Sequence, residues 1–122
     1  MSIRVLSLKR KSDDISAKEM VTYFGVDSTN SEAKSIAIKF DVIPPKTKTD
    51  DDFVAHPSES VIFMIKGKLE FHAKKEDGSA YSFEIKAGDF IHVPADVAHY
   101  AENMTSEAAE SIVAIPEPKF SN

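Results

Sequence analysis

Gly88-Asp89-Phe90-Ile91-His92-Val93-Pro94-Ala95-Asp96-Val97-Ala98-His99-Tyr100-Ala101-Glu102-Asn103 is the stretch whose reading settles the fold class. Ala87-Gly88-Asp89 is a turn signal, and Phe90 to Val93 has strand length and β-forming residues. Pro94 stops that strand, because proline cannot donate to a sheet ladder. A second short strand runs from His99 to Asn103. The same rhythm recurs outward from here. Tyr81, Phe83 and Ile85 alternate with Ser82, Glu84 and Lys86, and Glu76-Asp77-Gly78-Ser79 is a hairpin signal. Lys68 to Ala73 alternates too, and Val61 to Ile65 runs up to Gly67. Further back, Ile36, Ile38, Phe40 and Val42 alternate with Ala37, Lys39 and Asp41 until Pro44-Pro45. Beyond Asn103, Ser111 to Ile115 completes the set, and Pro116-Glu117-Pro118 reads as an extended tail. Short strands with turn signals every eight to twelve residues or so predict an all-β sandwich or small barrel.

The N-terminal part is read differently. Ile3, Val5, Leu6 and Leu8 suggest an edge strand. Ser16-Ala17-Lys18-Glu19 has the form of a capping box, so a short helical turn is predicted from Ser16 to Phe24. Met20 and Phe24, four apart, would pack one face of that turn into the core.

At 122 residues the chain has the length of one domain with one core. It is 42% hydrophobic and 29% charged, an ordinary globular balance. With no cysteine, disulfides, thiolate zinc sites and cysteine nucleophiles are excluded. No apolar run approaches the roughly 18–20 residues of a membrane span, and Met1 to Arg10 lacks a secretory signal pattern. A cytoplasmic protein is expected, with no membrane partner. Twenty acidic against fifteen basic side chains give a net charge of −5, which disfavours nucleic acid. Lys9-Arg10-Lys11 is followed by Asp13 and Asp14 and reads as a solvated chain end. Asp50-Asp51-Asp52 reads as exposed loop charge, since three adjacent residues point in different directions.

A chain without cysteine must build any transition-metal site from histidine and carboxylate, so the four histidines carry the chemistry. His72 alternates with Leu69 and Phe71 and is expected to face solvent, and His92 lies inside a strand as a wall residue. His56 and His99 each sit where a polar connection enters a strand, close to Pro57 and Pro94.

The stretch quoted above resembles the second motif of the cupin family, which runs Gly, five residues, Pro, one residue, Gly, two residues, His, three residues, Asn. Gly88, Pro94, His99 and Asn103 fall on its fixed positions, and Asp96 replaces its second glycine. The first cupin motif runs Gly, five residues, His-x-His, three or four residues, Glu, six residues, Gly. Aligned back from Gly67, it puts Ser60 at the glutamate, His56 at the second histidine, Val54 at the first and Lys48 at the leading glycine. Glu59 stands one residue before the expected carboxylate. The two motifs span residues 48–103 of a single domain covering 1–122.

The resemblance implies a cupin-type double-stranded β-helix, a jelly-roll barrel, with its site inside. Such a site holds a mononuclear divalent metal on three histidines and a glutamate. Here the carry-over supplies His56 and His99 only. If the loop at Pro57-Ser58 aims Glu59 inward, His56, Glu59 and His99 form a two-histidine, one-carboxylate site for Fe, Ni, Zn, Cu or Mn. If Glu59 points to the other face, the two imidazoles line a polar pocket and bind a ligand without a metal. Ser60, His92, Tyr100 and Met64 are the further ligand-binding candidates, with Ile62 and Met64 facing inward beside Ser60, and Ile38 and Phe40 expected inward from the earlier strand. Val61, Phe63 and Ile65 are apolar on the opposite face and need a cover. Small cupins commonly pair through that surface, so a homodimer is expected. Three functions remain open: a metal-assisted transformation of a small molecule, metal-free ligand binding, and self-association alone.

Overall fold

In the computed structural model the described residues are 3–7 and 19–116. They form nine strands and no helix: β1 Val21–Val26, β2 Ile36–Ile43, β3 Thr47–Lys48, β4 Ser60–Lys66, β5 Lys68–Lys74, β6 Ala80–Lys86, β7 Phe90–Val93, β8 His99–Asn103 and β9 Ala109–Pro116. The helical turn expected from Ser16 to Phe24 is corrected at its end, where Val21-Thr22-Tyr23-Phe24 belongs to β1. β-branched and aromatic residues in succession suit a pleated ladder, and pairing with β2 outweighs the capping pattern. Ser16 to Lys18 lie outside the described residues, as do Leu8, the Lys9-Arg10-Lys11 cluster, Asp13, Asp14 and the tail beyond Pro116. Residues 3–7 are not in a strand, and Ile3 and Val5 are almost fully exposed.

The strands form two antiparallel sheets, β1-β2-β9-β4-β7 and β3-β8-β5-β6. Apart from the β1–β2 and β5–β6 pairs, consecutive strands alternate between the two sheets, as in a jelly roll. Between them lie Ile43, Met64, Leu69, Phe71, Ala73, Ile85, Ile91, Val93, Ala101 and Ala109, with Met64 and Ala109 wholly buried. Each large side chain buried in this way contributes about 1.5–3 kcal/mol. The β4–β5 turn is pinned at Gly67, whose φ is +80°. A Cβ there would also stand 3.0 Å from the Ala109 backbone, so this turn needs glycine for two separate reasons.

Alternation in β4 puts Ser60, Ile62 and Met64 on the inner side, as expected. In β2 the expectation is reversed. Lys39, Asp41 and Ile43 line the interior, while Ile38 and Phe40 lie on the other face. That outer face carries a row across the whole first sheet, paired in register: Tyr23, Phe40, Ile112, Phe63 and Phe90. A sheet apolar on both sides hides its direction from a reading of periodicity alone.

Candidate functional site

A cavity of about 150 Å³ opens between the sheets, and His56 and His99 both line it. Their ring centroids are 5.9 Å apart, with the planes inclined at 64°. Residues more than forty positions apart meet here because the backbone ties them together. The amide of Asp96 donates to the His56 carbonyl at 2.7 Å, and Val54 and His99 exchange both backbone hydrogen bonds at 3.0 Å. Asp96 takes a φ of +66° at the position where the cupin motif has glycine. Aspartate tolerates this left-handed conformation better than most side chains, so the turn survives the substitution.

The His99 ring is fixed in both tautomer and tilt. Its Nδ1 lies 2.8 Å from the Val97 carbonyl, and a carbonyl can only accept, so Nδ1 carries the proton. In this tautomer the lone pair is on Nε2. Phe71 stacks against it at 5.5 Å with only 8° between the planes. Below the site, the wholly buried Asn103 donates to the carbonyls of Ile43 and Glu107 and accepts from the amide and hydroxyl of Thr105. This side chain joins the end of β2 to the β8–β9 turn.

Polar and apolar side chains both line the cavity. Ile62, Leu69, Phe71, Ile85, Val93 and Val113 form the apolar part. Lys39, Asp41, Asp50, Ser60 and the two imidazoles form the other. Burial raises the Asp41 carboxyl above its ordinary 3.8, against a 2.6 Å hydrogen bond from the Thr22 hydroxyl and the positive charge of Lys39. Cover at the rim likewise raises Asp50, opposed by its bond to Thr49 and by the charges of His56, His99 and Lys39. Asp50 is exposed in a loop, as read from the sequence, and also lines the cavity. Its signal in the sequence was only its closeness to His56, and adjacent aspartates give no direction.

Other expected site residues lie elsewhere. Glu59 is exposed on the outside, where its Oε1 meets His92 Nε2 at 2.7 Å. His92 is exposed between the buried Ile91 and Val93, so neither residue faces the cavity. One position of register turns Glu59 away from the imidazoles. Tyr100 is on the outer face of the second sheet, stacked on His72 at 4.6 Å and edge-on to Phe53. His72 is half-buried there, with Glu102 3.9 Å away, rather than open to solvent. Met64 is core beneath the cavity and Ser60 lines it. Among the described residues no group of three or more histidines and carboxylates is arranged to hold a metal ion. The family's four-ligand centre does not fit these side chains, since Val54 and Ser60 occupy two of its positions.

Among the described residues no helix is long and apolar enough to cross a membrane. No curated protein matches the chain. Solved structures of oxalate decarboxylase from Bacillus subtilis are similar to it, at 28% identity and a TM-score of 0.70. One concerned with the Mn(II) centres of that enzyme covers 81% of this chain, and another, solved at pH 4.6, covers 83%. In each case the match takes in 26% of the decarboxylase chain, so this protein corresponds to about a quarter of that enzyme. The cupin domain family matches residues 40–115, with both motifs' histidines inside that span, and this chain belongs to it.

Proposed function

We propose that this cupin binds a small carboxylic acid inside its barrel, between the imidazoles of His56 and His99. The carrying observation is their convergence on one cavity lined by apolar side chains and a few polar ones. That is the form of a small-molecule site. A space of 150 Å³ is the size that holds benzene in an engineered cavity, so ligands of about six non-hydrogen atoms fit and nucleotides do not. Oxalate has that size, and the likeness to oxalate decarboxylase supports an acid of this class.

Thermal denaturation with graded oxalate, malonate and acetate tests the reading. A ligand at a hundred times its Kd stabilises by about 2.7 kcal/mol, which for a domain of this size raises Tm by roughly 8–15 °C. No shift with any small acid, at concentrations up to tens of millimolar, contradicts it.

A second reading is favoured by the His99 tautomer. A lone pair on Nε2 and a second imidazole nearby suit a late divalent ion such as Zn²⁺, Ni²⁺ or Cu²⁺, which bind imidazole readily. Elemental analysis of protein purified without chelator or affinity tag decides this: about one equivalent of metal per chain supports it, and none contradicts it.

Two copies pair, in this account, through the outer face of the five-stranded sheet. Phe90 is 74% exposed there, and Val61 and Ile65 each 40%. Contiguous exposed apolar surface of this kind marks interaction sites. Light scattering should give twice the mass of one chain, and F90D should return it to that of a monomer.

A further inference from the structure

We infer that Lys39 supplies, from inside the barrel, the fixed positive charge that a divalent ion supplies in a four-ligand cupin site, so that the cavity selects its ligand by negative charge. The inference rests on the cavity being a small-molecule site and names what that site discriminates.

Three observations converge on Lys39. First, its place in the sheet aims it at the ligand space. It pairs with Val113, which pairs with Ile62, and all three line the cavity. Lysine on the inner side of a strand is costly unless its ammonium has a partner. Second, among the described residues no ion pair or hydrogen bond engages that ammonium. Asp41 is turned to the Thr22 hydroxyl and Asp50 to that of Thr49, although both feel the Lys39 charge. Third, the losses and the gain are complementary. Val54 and Ser60 remove one neutral and one anionic donor from the metal set, and Glu59 is paired outside with His92. The metal-ligand positions have thus lost their anionic donor, and Lys39 brings a cation to the same space.

The two carboxyls bear on the outcome. With Asp41 and Asp50 both ionised, they would outnumber Lys39 and repel an anion. Asp41 already accepts from the Thr22 hydroxyl and Asp50 from that of Thr49, and the Lys39 charge acts on both carboxylates and offsets part of theirs. Lys39 is the group left to meet the ligand, with His99 lining the same space.

Oxalate, oxamate and oxamide are nearly isosteric and carry two, one and no negative charges, so they separate charge from shape. Calorimetric titration of the wild-type protein should give affinity falling along that order, with oxamide weaker than oxalate by about tenfold or more. K39M should lower oxalate affinity by about tenfold and change oxamide binding by less than about twofold, while K39R should keep most of the preference. Should K39M not fold, the wild-type charge series and K39R carry the test. Equal binding of oxalate and oxamide by the wild type overturns the proposal, as does oxalate binding by K39M at wild-type strength. Saturable Mn²⁺ binding by the wild type below about 100 μM, a Kd still some tenfold tighter than millimolar, overturns it as well. If none of the three acids and amides binds, the cavity reading fails and this inference with it. The V54H/S60E double variant should gain Mn²⁺ binding relative to the wild type, and no gain overturns the claim that those two positions are where the cation was lost.

Discussion

The two halves of the site have fared differently. The half from Gly88 to Asn103 keeps its turn, its oriented imidazole and its buried amide, even with Asp96 in a glycine's place. The half from Lys48 to Gly67 keeps the Gly67 turn and His56, but Val54 and Ser60 have replaced ligands and Glu59 faces out. The halves remain joined through backbone, at Asp96 to His56 and at Val54 to His99. Backbone bonds do not depend on side-chain identity, so the chamber keeps its shape while the groups inside it change. Scaffold and chemistry are separable here.

Substitutions can break or sharpen that contrast. The largest effect is expected at Asn103, in the conserved-geometry half. N103A leaves the buried Ile43 carbonyl and the partly buried Glu107 carbonyl without their donor, and should cost about 2–4 kcal/mol in chemical denaturation. S60A, in the altered half, should cost less than about 1 kcal/mol by the same measurement, since Ser60 lines open space. Equal costs would erase the contrast.

A pH-dependent effect is expected at Asp41. Its folded carboxyl titrates above the ordinary 3.8, so the ionised form is the costly one. Stability from this group is greatest at pH below that ordinary value and is lost as pH rises through the raised folded value. D41N should therefore compare more favourably with the wild type at pH 7 than at pH 3.5 in urea unfolding. The opposite trend would mean that Thr22 and Lys39 outweigh burial.

Smaller effects come from the turn and the surface. D96G relieves a left-handed backbone and should stabilise by about 0.5–1 kcal/mol, read as a rise in Tm. E59Q breaks an exposed contact and should shift stability by less than about 0.5 kcal/mol, leaving acid binding unchanged. A loss of ligand or metal binding in E59Q would bring Glu59 back into the site.

Much of the barrel was legible. Alternation located β2, β5 and β6, because pleated strands with one buried face must alternate, and apolar runs bounded by turn signals located β4 and β7 to β9. Motif spacing brought His56 and His99 together, since fixed offsets between turns translate into fixed positions around a barrel. Direction was harder. Lys39 and Asp41 read as solvent-facing because Ile38 and Phe40 are more apolar, yet that apolar pair faces outward. Glu59 took the outward of its two open alternatives, and Asp50, exposed as read, also lines the cavity; loop geometry decides where each carboxylate points, and loops have no periodicity to read. At β1, a local helix-start pattern gave way to long-range pairing with β2.

Nuclear magnetic resonance of the imidazole side chains during an oxalate titration tests the central claim most directly. Signals of His56 and His99 should shift together along one saturation curve, while those of His72 and His92, on the outer faces, stay in place. Shifts confined to the two outer histidines, or saturation of His56 and His99 at different concentrations, would contradict a shared site.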